Sequence, residues 1–431
     1  MDQRPTPRQS RRSPSRLLTT RTTAMTSPTT DTAGTTIDYD PFAPEAMVDP
    51  RPVYEKLRAA GPLHYLPQYN AWALASFEAV WRAARDLKNF STENRGMPPI
   101  NSLLDEPSFP NFTQADARAH AAARRLLQPA YKQAAADQDA ANMRSLAQEV
   151  LTPLLAGGDG TMDVFRDYAS RVAARFAGHK VGLPEADAER IRHRAEQLFT
   201  REHGQRGTSQ ANAEAGGEVF GYLQNLVAEA RQDPSTAHGD LAVMLSGTVQ
   251  GRALTDEEIL GNLLTLIVTG SETTEISVAA TLYYLAQHPE QLAAVRADKS
   301  LIQNAFMEAV RFDHPTDIMC REVVSEVEIC GQTLLPGQQV IMMWGSASRD
   351  EAEFPNADVF DIHRTYSRHL LFGHGQHKCL GESTALRLGT IMLEEFLDAI
   401  DSYEVDWDGC RRKYAEFVQG FNSVPIRFTT A

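Results

Sequence analysis

Long apolar runs are missing from this chain of 431 residues. A run such as "LLTLIV" at 263 to 268 falls far short of the roughly 18 residues a membrane span needs. A chain without a membrane span, and so a soluble one, is expected. Cysteine is scarce as well: residues 320, 330, 379 and 410 are the only four, with no C-x-x-C pair among them. That spacing excludes a zinc-ribbon pattern, a thioredoxin-type motif and a C-x-x-C-H attachment motif. So low a density also excludes a disulfide framework, which makes a reducing cytoplasm the expected location. No repeat with a period of 20 to 50 residues appears. No G-x-G-x-x-G follows a strand-like run, so a flavin or nicotinamide domain is not expected.

What is present begins with charge. The net charge is −14, but residues 1–24 hold six Arg and one Asp, so the remainder stands at −19. An acidic body argues against nucleic acid as a partner. The basic leader is rich in Ser and Thr and lacks the apolar run of a secretory signal, though it loosely resembles a transit peptide. Residues 1–35 are expected to be a disordered basic leader, with Met25 as an alternative start, and residues 36–431 one catalytic domain.

Ordered sequence is expected from "DYDPFAPEAMVDPRPVYEKLRAAG" onward, with Pro52 in a first helical turn. Residues 114–231 are dense in Ala, Arg, Glu and Leu at helical spacing. Within them, 201–218 reads as a mobile connection between two helices. A longer helix is expected from Thr255 to His288, where Thr255 and Glu258 form a capping box and Pro289 follows the far end. Its middle is apolar on nearly every face, so it should cross the core. "EVEICGQTLLPGQQVIMMW" alternates in places and turns at Gly331 and Pro336-Gly337. The fold class is therefore mainly α, with a smaller β region near the carboxyl end.

Three stretches carry chemistry. In "VTGSETTE", Gly270 and its Ser and Thr neighbours are poor helix formers within the long helix. Either those hydroxyls bond back to their own helix with Glu272 on a solvated stripe, or the helix opens locally and offers hydroxyls and an acid to a buried ligand. In "EAVR", Glu308 and Arg311 share a helix face and can pair, at the surface or buried. In "LLFGHGQHKCLG", Cys379 is framed by glycines and histidines. It can be an inert buried thiol, a zinc ligand with His374 and His377 that lacks an obvious fourth partner, or a thiolate ligand to haem iron, which needs one Cys only. For the last, Gly373, Gly375 and Gly381 would let backbone approach a flat macrocycle, with free N–H groups bonding the sulfur. The helical segment after Cys379 would add its dipole.

Residues 372–381 fit F-x-x-G-x-x-x-C-x-G, and in this the chain resembles the cytochrome P-450 family of haem-thiolate monooxygenases. "TGSETT" resembles the oxygen-binding motif of that family's central helix, and "EAVR" its buried E-x-x-R pair. "SASRDEAEFPNADVFDIHR" is similar to the segment that joins that pair to the cysteine loop, and "DARAHAAARRL" to the bacterial helix carrying H-x-x-x-R. The match covers roughly residues 40–431. Three departures stand out: Thr269 where Ala or Gly is usual, Ser271 for a frequent His, and Arg387 one position from the expected Arg.

The resemblance implies a single-domain cytochrome P-450 fold of the soluble bacterial type, with a long central helix crossing haem b (iron-protoporphyrin IX). Cys379 would be the iron ligand, and Phe372 would pack beside its sulfur. His120, Arg124, Arg321 and His377 would hold the two propionates, suiting a chain that must neutralise a dianion. Thr273 and Glu272 would manage protons on the distal side, with Gly270 opening a groove for dioxygen. Glu308 and Arg311 would tie the cysteine loop to the core. The pocket would draw on 97–112, the 195–225 region, Leu263, Leu266 and Ile267, Thr316 to Met319 and Phe417 to Phe421. The implied activity is insertion of one oxygen atom from O2 into a small hydrophobic substrate, terpenoid, aromatic or steroid-like. Electrons would come from a ferredoxin or flavodoxin-type redox partner with its reductase, docking on a basic patch at Arg125, Lys378 and Arg387. The rival readings are a peroxide-driven or isomerising haem-thiolate enzyme and a non-catalytic haem-thiolate sensor or carrier.

Overall fold

The computed structural model describes residues 38–431, except 94, 116, 158 and 159. The expected leader, 1–35, and the alternative start at Met25 lie outside the described residues. Helices dominate. Those that frame the site are α1 (Ala117–Leu127), α2 (Gln133–Gly157), α3 (Ser170–Val181), α4 (Glu185–Gln197), α5 (Gln210–Gln232), α6 (Asp256–Gln287), α7 (Ile302–Phe312) and α8 (Glu382–Ala399).

The long helix forms as its caps direct. Thr255 Oγ1 accepts from the Glu258 N–H at 3.2 Å, and Glu258 Oε2 accepts from the Thr255 N–H at 2.8 Å. From there α6 runs 32 residues, roughly 48 Å at 1.5 Å per residue, and stops at His288 before Pro289. It packs against α3, α4, α5, α7 and α8. Its amino-terminal half, with Leu263, Leu264 and Ile267, is buried with Val219, Leu223 and Val227 of α5. Its carboxyl-terminal half, with Ile276, Val278 and Leu282, joins Leu388, Ile391 and Phe396 of α8. One helix therefore belongs to two cores, and burial on nearly every face is what its sequence predicts.

Two expectations need correction. Residues 210–218 are helix and not connection, because Ser209 caps α5 in a reciprocal box with Asn212. Gly216 packs closely there, where a Cβ would come within 2.9 Å of Leu198 Cδ2. The larger sheet is also not confined to the carboxyl end. Strands β1 (Leu63–Leu66), β2 (Ala71–Leu74), β3 (Phe90–Ser91), β4 (Ile318–Val323) and β5 (Gln339–Met343) pair in the order β1-β2-β5-β4-β3. The β2–β5 pair is parallel, with Gln339 opposite Ala71, and the other pairs are antiparallel. The amino-terminal strands have four residues or fewer, too short to display a period of two. The expected turn at Gly331 is present between Val327–Ile329 and Gln332–Leu334, with φ of +48° at Cys330 and +78° at Gly331. A last hairpin, β6 (Arg411–Arg412) with β7 (Phe421–Ser423), carries a loop that enters the core.

The cysteine loop is held from below by α7. Glu308 and Arg311 are both fully buried and paired at 2.8 Å, which excludes the surface alternative. Arg311 also donates to the carbonyls of Ser348, Ala357 and Val359. Glu308 accepts from the Asp361 N–H, Arg364 and the Tyr366 hydroxyl. A helix thus pins the 348–366 segment that leads into the cysteine loop. Glu308→Ala leaves Arg311 without its carboxylate and should cost about 3–5 kcal/mol in chemical denaturation of the folded protein. A surface pair would cost about 1 kcal/mol or less, so the measurement separates the two.

Candidate active site

The residues expected to hold the cofactor and to act on its distal side line one cavity: Thr273, Glu272 and Gly270 from α6; His120 and Arg124 from α1; Arg321 from β4; and Phe372, Gly373, His377, Cys379 and Gly381 from the cysteine loop. Its empty space is about 1640 Å³, open solvent at the mouth included.

The loop is shaped by its backbone. The Cys379 N–H donates to Phe372 O at 2.7 Å, and Gly373 N–H to Leu370 O at 2.8 Å. Gly373 and Gly375 both sit at φ +72°, a conformation that only glycine adopts without strain. Gly375 does not face the cavity: a Cβ there would lie 2.6 Å from Ala84 O, so it serves close packing on the 77–85 helix. That corrects its expected role beside a macrocycle. His374 stacks on Trp81 with ring centroids 3.5 Å apart, a packing task that sequence did not assign. Among the described residues no group of His, Cys, Asp and Glu is arranged to hold a metal ion, so the zinc reading fails. Cys379 itself is open to the cavity. Burial within the protein pushes its thiol up, and the Gly381 N–H pulls it down. A bound cation is what turns such a thiol into a thiolate.

The basic residues meet where a dianion would be needed. His120 and His377 have ring centroids 4.1 Å apart. His120 is fixed by contacts to Phe112 O at 2.8 Å and Gln376 O at 3.2 Å, and Arg124 reaches Cys379 O at 3.4 Å. Burial, then the charges of Arg321, His120 and Arg124, push His377 down to about 2. Burial likewise lowers His120, Arg124 and Arg321. Arg321 Nε and His377 Nδ1 are buried without a hydrogen-bond partner among the described residues. Four basic groups that repel one another and keep orphaned nitrogens fit the two propionates of haem b beside a lone cysteine.

The central helix is not opened at "VTGSETTE"; it runs unbroken through Gly270. Its hydroxyls bond back instead. Thr265, Thr269 and Ser277 donate to carbonyls four residues earlier at 2.8, 2.7 and 2.7 Å, and all three line the cavity. Thr273 makes the same contact at 3.3 Å, so its hydroxyl is the least committed and the easiest to turn toward a ligand. Ser271 is fully buried and bonded to Ile267 O at 2.8 Å. Glu272 is not on a solvated stripe but buried, and it pairs with Lys413 from the loop between β6 and β7.

That partner is what sequence reasoning missed. Lys413 is buried and bridges Glu272 to Glu196 at 2.9 Å; Glu196 in turn meets Arg192 at 3.1 Å, and Arg192 pairs with Glu275. No spacing rule links positions 192, 272 and 413, and only the tertiary fold joins them. The pocket expectation also needs trimming. Met97, Phe112, Leu266, Thr316, Met319, Phe417 and Val418 line the cavity, but Leu263, Ile267 and the 195–225 region do not. Leu263 and Ile267 lie on the helix face that packs against α5. At the expected basic patch, Arg125 is exposed, while Lys378 pairs with Glu382 at 2.6 Å and Arg387 with Asp137 at 3.7 Å.

Comparison with known proteins gives a consistent result. Residues 207–402 match the family model "Cytochrome P-450". CYP199A2, a cytochrome P-450 of Rhodopseudomonas palustris, is 30% identical over 410 residues, covering 94% of this chain and 98% of that protein. A steroid C26-monooxygenase of Mycobacterium tuberculosis is 26% identical, covering 89% of this chain and 95% of its own length. The crystal structure of CYP108D1 from Novosphingobium aromaticivorans superposes with a TM-score of 0.79 at 27% identity, covering 91% of this chain and 97% of that one. With a relative matched almost end to end and the same fold around the cysteine loop, the chain belongs to the cytochrome P-450 family of haem b-dependent monooxygenases.

Proposed function

We propose that this chain inserts one oxygen atom of O2 into a neutral, largely apolar molecule of terpenoid, aromatic or steroid-like type. Electrons would come from a separate ferredoxin- or flavodoxin-type protein. The observation that carries the reading is the pairing, on one cavity wall, of a buried acid and a loosely bonded hydroxyl, Glu272 and Thr273.

Haem, when bound, supplies dioxygen activation, and thiolate ligation favours cleavage of the O–O bond. Cys379 is the residue proposed to ligate the iron. His120, Arg124, Arg321 and His377 would neutralise the propionates and fix the ring's orientation. Thr273 would hold a proton at Oγ1 and orient a water, and Glu272, with Oε2 unpartnered among the described residues, would supply that proton. Thr269, open to the cavity beside Gly270, adds an acceptor oxygen to that wall. Much of the rest of the wall is apolar, with Met97, Phe112, Leu266, Met319 and Phe417; its cations are those assigned to the propionates and Lys378, which is paired with Glu382 at 2.6 Å. A substrate carboxylate would therefore find no free partner there, which favours neutral ligands. The steroid-oxidising relative supports the size class. Retention of the acid and the hydroxyl disfavours the peroxide-driven and carrier readings.

The reduced, haem-loaded protein under carbon monoxide should show the red-shifted Soret band of a thiolate-ligated haem. Cys379→Ala should abolish it, while replacement of Cys320, Cys330 or Cys410 should leave it in place; a band that survives Cys379→Ala rejects the assignment. For substrate class, a neutral steroid should shift the haem from low to high spin, and its carboxylated analogue should not. Thr273→Val should lower dioxygen-driven product formation by at least about tenfold and raise peroxide release, measured side by side.

A further inference from the structure

Behind the acid and the hydroxyl lies a charge cluster of which the reaction as described uses Glu272 alone. It holds three carboxylates, Glu272, Glu196 and Glu275, and two cations, Lys413 and Arg192. All but Glu196 are buried, and the Glu196 side chain keeps 15% of its surface exposed. Lys413 touches Glu272 and Glu196, and Arg192 touches Glu196 and Glu275. Ser170, at the start of α3, accepts from Arg192 at 2.8 Å. The Arg201–Glu416 pair at 2.8 Å balances itself, and His193 lies near enough to Glu196 to act on it.

Two cations cannot neutralise three carboxylates. A surplus negative charge in a site with almost no water is costly, so the cluster has to retain one proton. Glu275 is the member that fits. It is fully buried, the one cation it pairs with among the described residues is one that Glu196 also claims, and its Oε2 has no partner among them. It stands one helical turn beyond Glu272 on α6, so the two acids share a face. Glu272 Oε2 is unpartnered in the same way.

We infer that the Glu275–Arg192–Glu196–Lys413 cluster is a one-proton store for Glu272, with Glu275 as the protonated member, Glu196 as the solvent end and Lys413 as a positioning residue. This deepens the monooxygenase reading and rests on it. The step conserves charge. The proton leaves Glu275 Oε2 for Glu272 Oε2; Glu275 becomes the carboxylate paired with Arg192, and Glu272 becomes the neutral acid that faces the cavity. Against the raising effect of burial, Lys413 and Arg192 hold Glu196 well below the usual carboxylate range, so it stays the carboxylate at the solvent end, past which a proton from solvent refills Glu275. Burial raises the Glu275 carboxyl to about 8, so the store is full below that pH and empties as pH rises through it. The folded chain then binds more protons than the unfolded one between the ordinary carboxyl range and about 8, and loses stability as pH rises there.

Glu275→Gln tests this, since it keeps the shape of the neutral acid and removes the transferable proton. Infrared spectra of the haem-loaded parent at pH 7 should contain a protonated-carboxyl band that the variant lacks. Raising the pH from about 7 to about 9 should lower the parent's denaturation midpoint more than the variant's. Dioxygen consumption, driven by a surrogate plant-type ferredoxin and its reductase, should fall at least about tenfold in Glu275→Gln, with a larger solvent deuterium isotope effect. Lys413→Met should add a second protonated-carboxyl band as Glu272 loses its cation, and Lys413→Arg should remove it again. A parent without the band, or parent and variant with equal isotope effects and parallel pH profiles, overturns the proposal. The carbon monoxide spectrum distinguishes this from failure of the monooxygenase reading, because a thiolate-type band in both proteins leaves that reading standing.

Discussion

The molecule is organised around a helix that must cross its interior while carrying groups that water would normally solvate. Apolar burial alone would be the cheaper solution, yet α6 places a stripe of hydroxyls at 265, 269, 273 and 277 and two carboxylates on or beside its cavity face. The hydroxyls are made compatible with the core by donating to carbonyls of the preceding turn. The carboxylates cannot be treated so locally. They draw a lysine from the carboxyl-terminal hairpin and an arginine from α4, and those contacts set how α4 and that hairpin seat on the central helix. The same demand for compensation reappears at α7, where the buried Glu308–Arg311 pair is completed by carbonyls of the segment before the cysteine loop.

Much of this was legible in the amino-acid order, for reasons that differ from place to place. The capping box at Thr255 is a local rule, satisfied by side chains three residues apart, and it located the start of α6. The cysteine loop is likewise local: its glycines and Cys379 are ten residues apart at most, so a short pattern holds the whole geometry. The basic quartet was legible only through resemblance, because His120, Arg321 and His377 come from three separate elements. Lys413 was invisible to both kinds of reading, since its role depends on which buried carboxylate a distant hairpin happens to meet. The short strands β1 and β2 failed for want of length, and the start of α5 failed because Asn212 stands where a capping box more often has Glu or Gln.

The pocket shows how helical phase sorts neighbours into different tasks. Leu266 and Thr269 look into the cavity, while Leu263 and Ile267, within a turn of them, pack on α5. Apolar character alone did not separate these residues. The hydroxyl stripe at 265, 269, 273 and 277 did carry the phase, and it marks the cavity side of the helix more reliably than the leucines do.

The parallel seam between β2 and β5 joins residue 71 to residue 339. On a ribosome, the first strands of the larger sheet emerge long before their partner exists, and they wait with open edges through the synthesis of most of the chain. A pairing of such high contact order closes slowly, because the loop entropy is lost before the seam gives anything back. The central helix and the cysteine loop, in contrast, are specified locally. The central helix, complete by residue 287, is thus able to form before the chain's beginning has been fastened to its later third.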